Sequence, residues 1–120
     1  MSKQKQKGTS FESAAAEWLT ERLGTEVRRN VLMAQLDQGD LYGVFIDGKP
    51  LVIECKNERE YKLSEWMGEL EREMENSDTD VGIVLFHRRG IGLPNMGKQY
   101  VLTDLETFTR IMRRGMGVVS

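Results

Sequence analysis

The run Val81-Gly82-Ile83-Val84-Leu85-Phe86 limits most what this chain can become. A continuous apolar stretch of strand length is expected of a buried central strand, not of one that alternates between core and water. Such a strand needs other layers packed on its sheet, and the patterns around it supply them. From Thr9 to Leu23, Phe11, Ala14, Ala15, Trp18, Leu19 and Leu23 recur at helical spacing, and Gly24 is a natural stop. Residues 62–76 repeat the pattern with Leu63, Trp66, Met67, Leu70 and Met74. Thr103–Arg113 reads as a closing helix, opened by a capping box from Thr103 to Glu106.

Besides the central strand, strands are predicted over 26–33, Leu41–Ile46, Pro50–Cys55 and Gln99–Leu102. Asp47-Gly48 between two apolar runs is a strong two-residue hairpin signal, and Asp37 and Asp47 read as turn residues. The order is α-β-β-β-α-β-β-α, an α/β fold with a mixed β-sheet flanked by helices. Residues 1–8 read as a flexible basic arm, 9–114 as one domain and 115–120 as a loose tail.

The chemistry lies on the third predicted strand. Alternation turns Leu51, Ile53 and Cys55 one way and Val52, Glu54 and Lys56 the other. A Glu and a Lys side by side next to an apolar stretch are costly to bury unless they serve each other or a ligand. Across the hairpin, Asp40 falls roughly opposite Glu54 or Lys56, so two carboxylates can reach one point. With the backbone carbonyl of Cys55 they make a hard-oxygen site suited to Mg²⁺ or Mn²⁺. A metal there lowers the pKa of a bound water and stabilises charge developing on a phosphodiester. Lys56 can orient or deprotonate that water, or neutralise the phosphorus centre. The competing reading is an Asp40–Lys56 ion pair with Glu54 facing solvent.

Totals narrow the setting. No apolar run approaches the ~18–20 residues of a membrane span, and no signal-peptide core follows the start, so an intracellular, cytoplasmic protein without a membrane partner is expected. One cysteine and one histidine leave no internal disulfide and no ordinary structural zinc site. The net charge of −2 does not by itself suggest nucleic acid, but its distribution is uneven. Residues 58–80 carry nine acids against three bases, and residues 81–120 six bases against two acids. The acidic stretch reads as a solvated helix face, and basic ends can still meet phosphate.

Gly39-Asp40, followed after an apolar strand by Glu54-Cys55-Lys56, resembles the signature of the PD-(D/E)xK nuclease superfamily, with Gly39 in place of the usual Pro. The opening Lys7-Gly8-Thr9-Ser10-Phe11-Glu12 is similar to archaeal-type Holliday junction resolvases and their phage relatives. The likeness covers residues 7–57, and beyond them only the order of elements is kept. It implies a restriction-endonuclease-like sheet and a metal-dependent endonuclease resolving four-way junctions in DNA recombination and repair, acting as a homodimer, in the host cytoplasm if phage-encoded. It further implies that Asp40, Glu54 and Glu12 hold Mg²⁺ or Mn²⁺ and that Lys56 assists hydrolysis. Glu12 also has a purely structural explanation, because Thr9-x-x-Glu12 is itself a capping box.

Candidates for holding DNA are Lys3, Lys5 and Lys7 on the arm, Arg28 and Arg29 on the first strand, and Arg88, Arg89 and Lys98 around the long loop. Arg28 and Arg29 point to opposite faces, so only one can face the carboxylates. His87 lacks a partner by spacing and is not expected to be catalytic. The helix 62–76 offers either a dimer face or a layer on the sheet. Two other readings keep part of this scheme: the same chemistry on other DNA (nicking, repair or restriction), and a non-catalytic DNA-binding module of the same fold.

Overall fold

The computed structural model describes residues 3–31 and 36–118, with the side chains of residues 3–8 outside the description. The elements are α1 (Lys3–Leu23), β1 (Arg28–Arg29), β2 (Leu41–Tyr42), β3 (Phe45–Ile46), β4 (Lys49–Pro50), β5 (Val52–Lys56), α2 (Leu63–Asn76), β6 (Gly82–Phe86), β7 (Tyr100–Leu102) and α3 (Leu105–Gly115), with a 3₁₀ segment at Leu93–Lys98. Among the described residues one sheet runs β1-β2-β5-β6-β7, and β3 with β4 forms a separate ribbon. Only β5 and β6 are parallel, joined by α2 as the crossover; the other pairs are antiparallel. The fold is thus α/β, a mixed sheet with helices against it.

The central strand behaves as its composition requires. Leu85 packs with Phe11, Ala15, Leu41 and Ile53 on the α1 side. Val84 and Phe86 pack with Val52, Trp66, Leu70 and Met74 on the α2 side. Full burial of a side chain such as Leu70 contributes about 2 kcal/mol, and residues of this kind line both faces. The α2 stripe is therefore spent on the chain's own sheet: Trp66, Leu70 and Met74 are buried there, which removes this stripe as a dimer face. Among the described residues no helix is long and apolar enough to cross a membrane.

Several boundaries differ from expectation for physical reasons. The first helix begins at Lys3 rather than Thr9, so Thr9 is not an N-cap and Glu12 lies too far along the helix to serve one. Gly24 ends it as expected, at φ +70° with its N–H on the Thr20 carbonyl at 3.0 Å. Of the strand predicted over 26–33, Arg28–Arg29 pairs with β2, and residues 32 and 33 lie outside the described residues. α3 is capped by Asp104, whose Oδ1 accepts from the Thr107 N–H at 2.8 Å, rather than by Thr103. Thr103 instead donates to the Gly82 carbonyl at 3.0 Å. α3 also runs through Gly115, into the stretch read as a tail.

The hairpin carries a feature that positions the site. Asp47 and Gly48 have φ of 51° and 77°, the left-handed pair of a two-residue turn. From there Ile46 pairs with Lys49 and Phe45 with Pro50, and the Leu51 N–H donates to the Val44 carbonyl. Beyond it Leu41 pairs with Ile53. Tyr42 and Gly43 therefore stand against Val52 alone, which is a β-bulge. Continued without the extra residue, the hairpin register would set Asp40 opposite Cys55; the bulge advances it to Glu54. Gly43 makes this possible at φ +125°, and a Cβ there would lie 2.2 Å from the Glu26 carbonyl oxygen.

Gly43→Ala is accordingly expected to cost about 3 kcal/mol, a fall of ~10 °C in melting temperature for a domain of this size. Differential scanning calorimetry would measure it; a shift below ~2 °C would show that the bulge is dispensable.

Candidate active site

The C-terminal half of β5 is where both layers of the fold meet charged groups. Burial of Glu54 follows from strand alternation: it shares the α2 face with Val52 and is 8 % exposed. Asp40 arrives from the bulged strand. Its N–H donates to the Ile53 carbonyl at 2.9 Å, and its Oδ2 accepts from the Cys55 N–H at 2.8 Å. Strand N–H groups point within the plane of the sheet, so this carboxylate occupies a ladder position at the rim, reachable from both faces. The N–H and C=O of one strand residue point the same way, so the Cys55 carbonyl also faces Asp40, while the Lys56 carbonyl turns to β6 and accepts from the His87 N–H at 3.0 Å.

From the α1 side, Glu12 shares a hydrogen bond with Asp40 and lies 3.6 Å from Arg29. From the α2 side, Glu54 shares hydrogen bonds with Asp40 and with Glu73 of α2. Lys56 stands 2.6 Å from Glu69, 3.8 Å from Glu54 and 3.9 Å from Glu58. The sequence-predicted Glu12, Asp40, Glu54 and Lys56 are thus brought together, and the competing Asp40–Lys56 ion pair is not among the contacts of Lys56. The solvated acidic face expected over residues 58–80 does not hold for Glu69 and Glu73, which turn inward. A signal was present: Glu73 follows Trp66 by seven and Leu70 by three, which sets it on the buried stripe.

Burial and mutual repulsion raise the carboxyl groups. Glu12 is pushed up to about 7 by desolvation first and then by Asp40, against the pull of Arg29. Glu73 is also pushed up to about 7, by burial, with Asp40 adding to it and the hydrogen bond from Glu54 opposing. Glu54 lies well above the usual carboxylate range, through burial and then through Asp40. Burial pulls the Lys56 ammonium down, but its hydrogen bond to Glu69 and the charges of Glu54, Glu69 and Glu58 outweigh this and hold it above its ordinary value. Lys56 is therefore a cation and donor, poorly suited to act as a base. The thiol of Cys55 is driven up by burial and is not a nucleophile.

Around the cluster, basic groups rest on aromatic rings. The guanidinium of Arg28 lies over Tyr42 at 5.3 Å, that of Arg88 over Tyr100 at 5.0 Å and that of Arg89 over Tyr61 at 5.1 Å. As expected for neighbours on a strand, only Arg29 of its pair faces the carboxylates. An open cavity of about 400 Å³ next to Lys56 is lined by Glu58, Arg59, Tyr61, His87, Arg89 and Gly90. His87 contacts the Ile91 carbonyl through Nε2 at 2.6 Å and packs edge-on against Phe11, a structural role. Lys98 ends the 3₁₀ segment, exposed. The side chains of Lys3, Lys5 and Lys7 lie outside the described residues.

The departure from the nuclease signature at residue 39 has a backbone reason. Gly39 sits at φ +99°, which proline cannot adopt, and a Cβ would lie 3.0 Å from Val52. Glycine here is required by the path into Asp40. Among the described residues no three acidic, Cys or His side chains form a ready-made cation cage. The donor set nevertheless suits a hard divalent ion, since Asp40, Glu54 and the Cys55 carbonyl are all oxygen ligands facing one rim. No family model, no curated protein and no solved structure matches the chain.

The raised carboxyl groups make stability depend on pH. Each binds its proton more tightly folded than unfolded, so its contribution is full below the unfolded value of 4.5 and is lost as pH rises through the folded value, about 7 for Glu12 and Glu73. With chelator present, wild type is expected to melt progressively lower from pH 5 to 9. Glu54→Gln should melt at least ~4 °C higher than wild type at pH 8, the effect of about 1 kcal/mol, with a flatter profile. Parallel profiles for the two proteins would refute the assignment of this cost to Glu54.

Proposed function

We propose that this chain is a metal-dependent DNA endonuclease of the PD-(D/E)xK type, with a restriction-endonuclease-like sheet, acting on four-way junctions. The observation that carries the reading is the Asp40 carboxylate held on the Cys55 N–H at 2.8 Å, beside Glu54 and within one strand of Lys56. That arrangement gathers the Asp, Glu and Lys of the signature, with Glu12 of α1, at one sheet rim.

On this reading Asp40, Glu54, Glu12 and the Cys55 carbonyl would hold Mg²⁺ or Mn²⁺, which would supply an activated water and offset charge on the scissile phosphate. The chain's own groups do the rest. Glu69 fixes the Lys56 ammonium, which stays protonated and donates to the attacking water or to a phosphate oxygen as negative charge builds. Arg29 steadies Glu12. Arg28, Arg88, Arg89 and Lys98, together with the amino-terminal lysines, meet backbone phosphates without reading sequence. The guanidinium groups of Arg28 and Arg88, laid on rings, present N–H edges toward phosphate, while Arg89 spends one N–H on the Arg59 carbonyl at 2.6 Å. The cavity lined by Arg59, Tyr61, His87 and Arg89 suits a nucleotide flanking the cut.

A junction has two-fold symmetry, which an isologous dimer matches. With α2 committed to the core, the apolar side of α3 is assigned to a second copy: Leu105 is 77 % exposed and Met116 69 %, with Phe108 and Met112 between them. Phe108→Glu combined with Met112→Glu should convert a sedimenting dimer to monomer. Unchanged sedimentation would remove α3 from the interface.

Cleavage of a synthetic four-way junction and of a matched duplex tests the function. Wild type with Mg²⁺ should place paired nicks on the junction, and Glu54→Ala or chelator should lower the rate at least ~100-fold. Equal cutting of duplex would keep the chemistry and discard junction choice, favouring a nicking, repair or restriction role. Tight binding without any cutting would leave a DNA-binding module.

A further inference from the structure

The chemistry proposed above leaves Glu73 unused, yet its placement is the least expected in the chain. It sits among Trp66, Leu70 and Met74 on the face of α2 that packs on the sheet, and it is 4 % exposed. On the same helix Glu71 and Glu75 are exposed, so the sequence has solvent positions for acids and does not use one here. A carboxylate in such a place is costly unless a partner is supplied. Among the described residues Oε1 of Glu73 has no hydrogen-bond partner. Its side chain shares a hydrogen bond with Glu54; besides burial, the charges of Asp40 and Asp37 raise its pKa, and that of Lys56 partly opposes them. The Lys56 ammonium makes its short contact with Glu69 instead, at 2.6 Å.

A buried oxygen without a donor, beside two further carboxyl groups and, among the described residues, in no ion pair of its own, fits a positive ligand that arrives from outside. A cation there would satisfy this oxygen and take the place of the proton that Glu54 and Glu73 share. We propose that Glu73 is a ligand of the divalent cation of this site, adding an oxygen from α2 to those of Asp40 and Glu54. The inference rests on the metal-nuclease reading and extends it, because nothing in the nuclease signature calls for an acid on this helix. It also gives α2 a second task. The helix that buries Trp66 and Leu70 becomes tied to the sheet rim through the ion, so metal binding and α2 docking reinforce each other.

Calorimetric titration of the full chain with Mn²⁺ tests this, with fold checked by circular dichroism. Glu73→Gln and Glu73→Met, both close to Glu in length, should each weaken Mn²⁺ binding at least ~10-fold. Glu71→Gln, which removes an exposed charge from the same helix, should bind within ~2-fold of wild type, the usual limit for a screened surface charge. The comparison with Glu71→Gln separates ligation from loss of general negative potential, and two substitutions keep the result independent of either one's folding. If both Glu73 variants bind Mn²⁺ as wild type does while Glu54→Gln loses it, Glu73 is no ligand and the nuclease reading stands. Failure of wild type itself to bind Mn²⁺ would overturn both.

Discussion

The Asp40 carboxylate on the Cys55 N–H is the contact on which the rest of the site depends. A strand that outlasts its neighbour leaves backbone donors at the rim, and a buried donor needs an acceptor. Supplying it from a charged side chain makes the bond stronger than the ladder bond it replaces and fixes a negative charge where the sheet's two covering layers end. Glu12 can then approach from one face and Glu54 from the other, each sharing a hydrogen bond with the same group. The bulge at Gly43 and the positive φ of Gly39 are the backbone conditions for this. Asp40 is consequently both part of the sheet and part of the site, and its two roles cannot be separated by substitution.

Concentrating carboxylates at a buried rim works against folding. Each pKa unit of elevation corresponds to about 1.4 kcal/mol of preference for the protonated form. The opposing resource is the pair of apolar layers on either side of β5 and β6, where single side chains contribute about 2 kcal/mol each. Fixed cations take up part of the repulsion: Arg29 on Glu12, and Lys56 among Glu54, Glu58 and Glu69. The elements bearing the acids are the same ones that carry the layers, so the site is held by the core instead of by loops. That is the arrangement expected where geometry must be kept while charge is poorly balanced.

Much of this was legible in the residues. The apolar run 81–86 fixed β6 and its two covering layers, Asp47-Gly48 fixed the turn, and alternation put Glu54 beside Lys56 and parted Arg28 from Arg29. What escaped has common causes. The bulge is invisible to period-two counting, because Gly43 looks like an ordinary strand glycine until a carbonyl is known to sit where its Cβ would be. Thr103 satisfies the capping-box spacing, but its hydroxyl is taken by the Gly82 carbonyl, so Asp104 caps instead. Charge alone suggests that Glu69 and Glu73 are solvated, whereas helical phase assigns Glu73 to the stripe of Trp66 and Leu70 and is the better guide. Composition over a segment averages away the orientation of single residues.

The same orientation changes what the chain's charge means. The nine acids of residues 58–80 would repel a polyanion if they all faced outward, yet Glu58, Glu69 and Glu73 turn to Lys56 and Glu54. On the nuclease reading, phosphate is held at the flanks, where arginines lie on Tyr42, Tyr61 and Tyr100, while the central rim stays too negative to admit it. A divalent ion held by Asp40 and Glu54 would reverse the local sign and lower that barrier. By linkage, a phosphate bound beside the ion must then raise the ion's affinity by the same factor. On that reading cofactor and substrate would be coupled through the carboxylates themselves, with no moving element required.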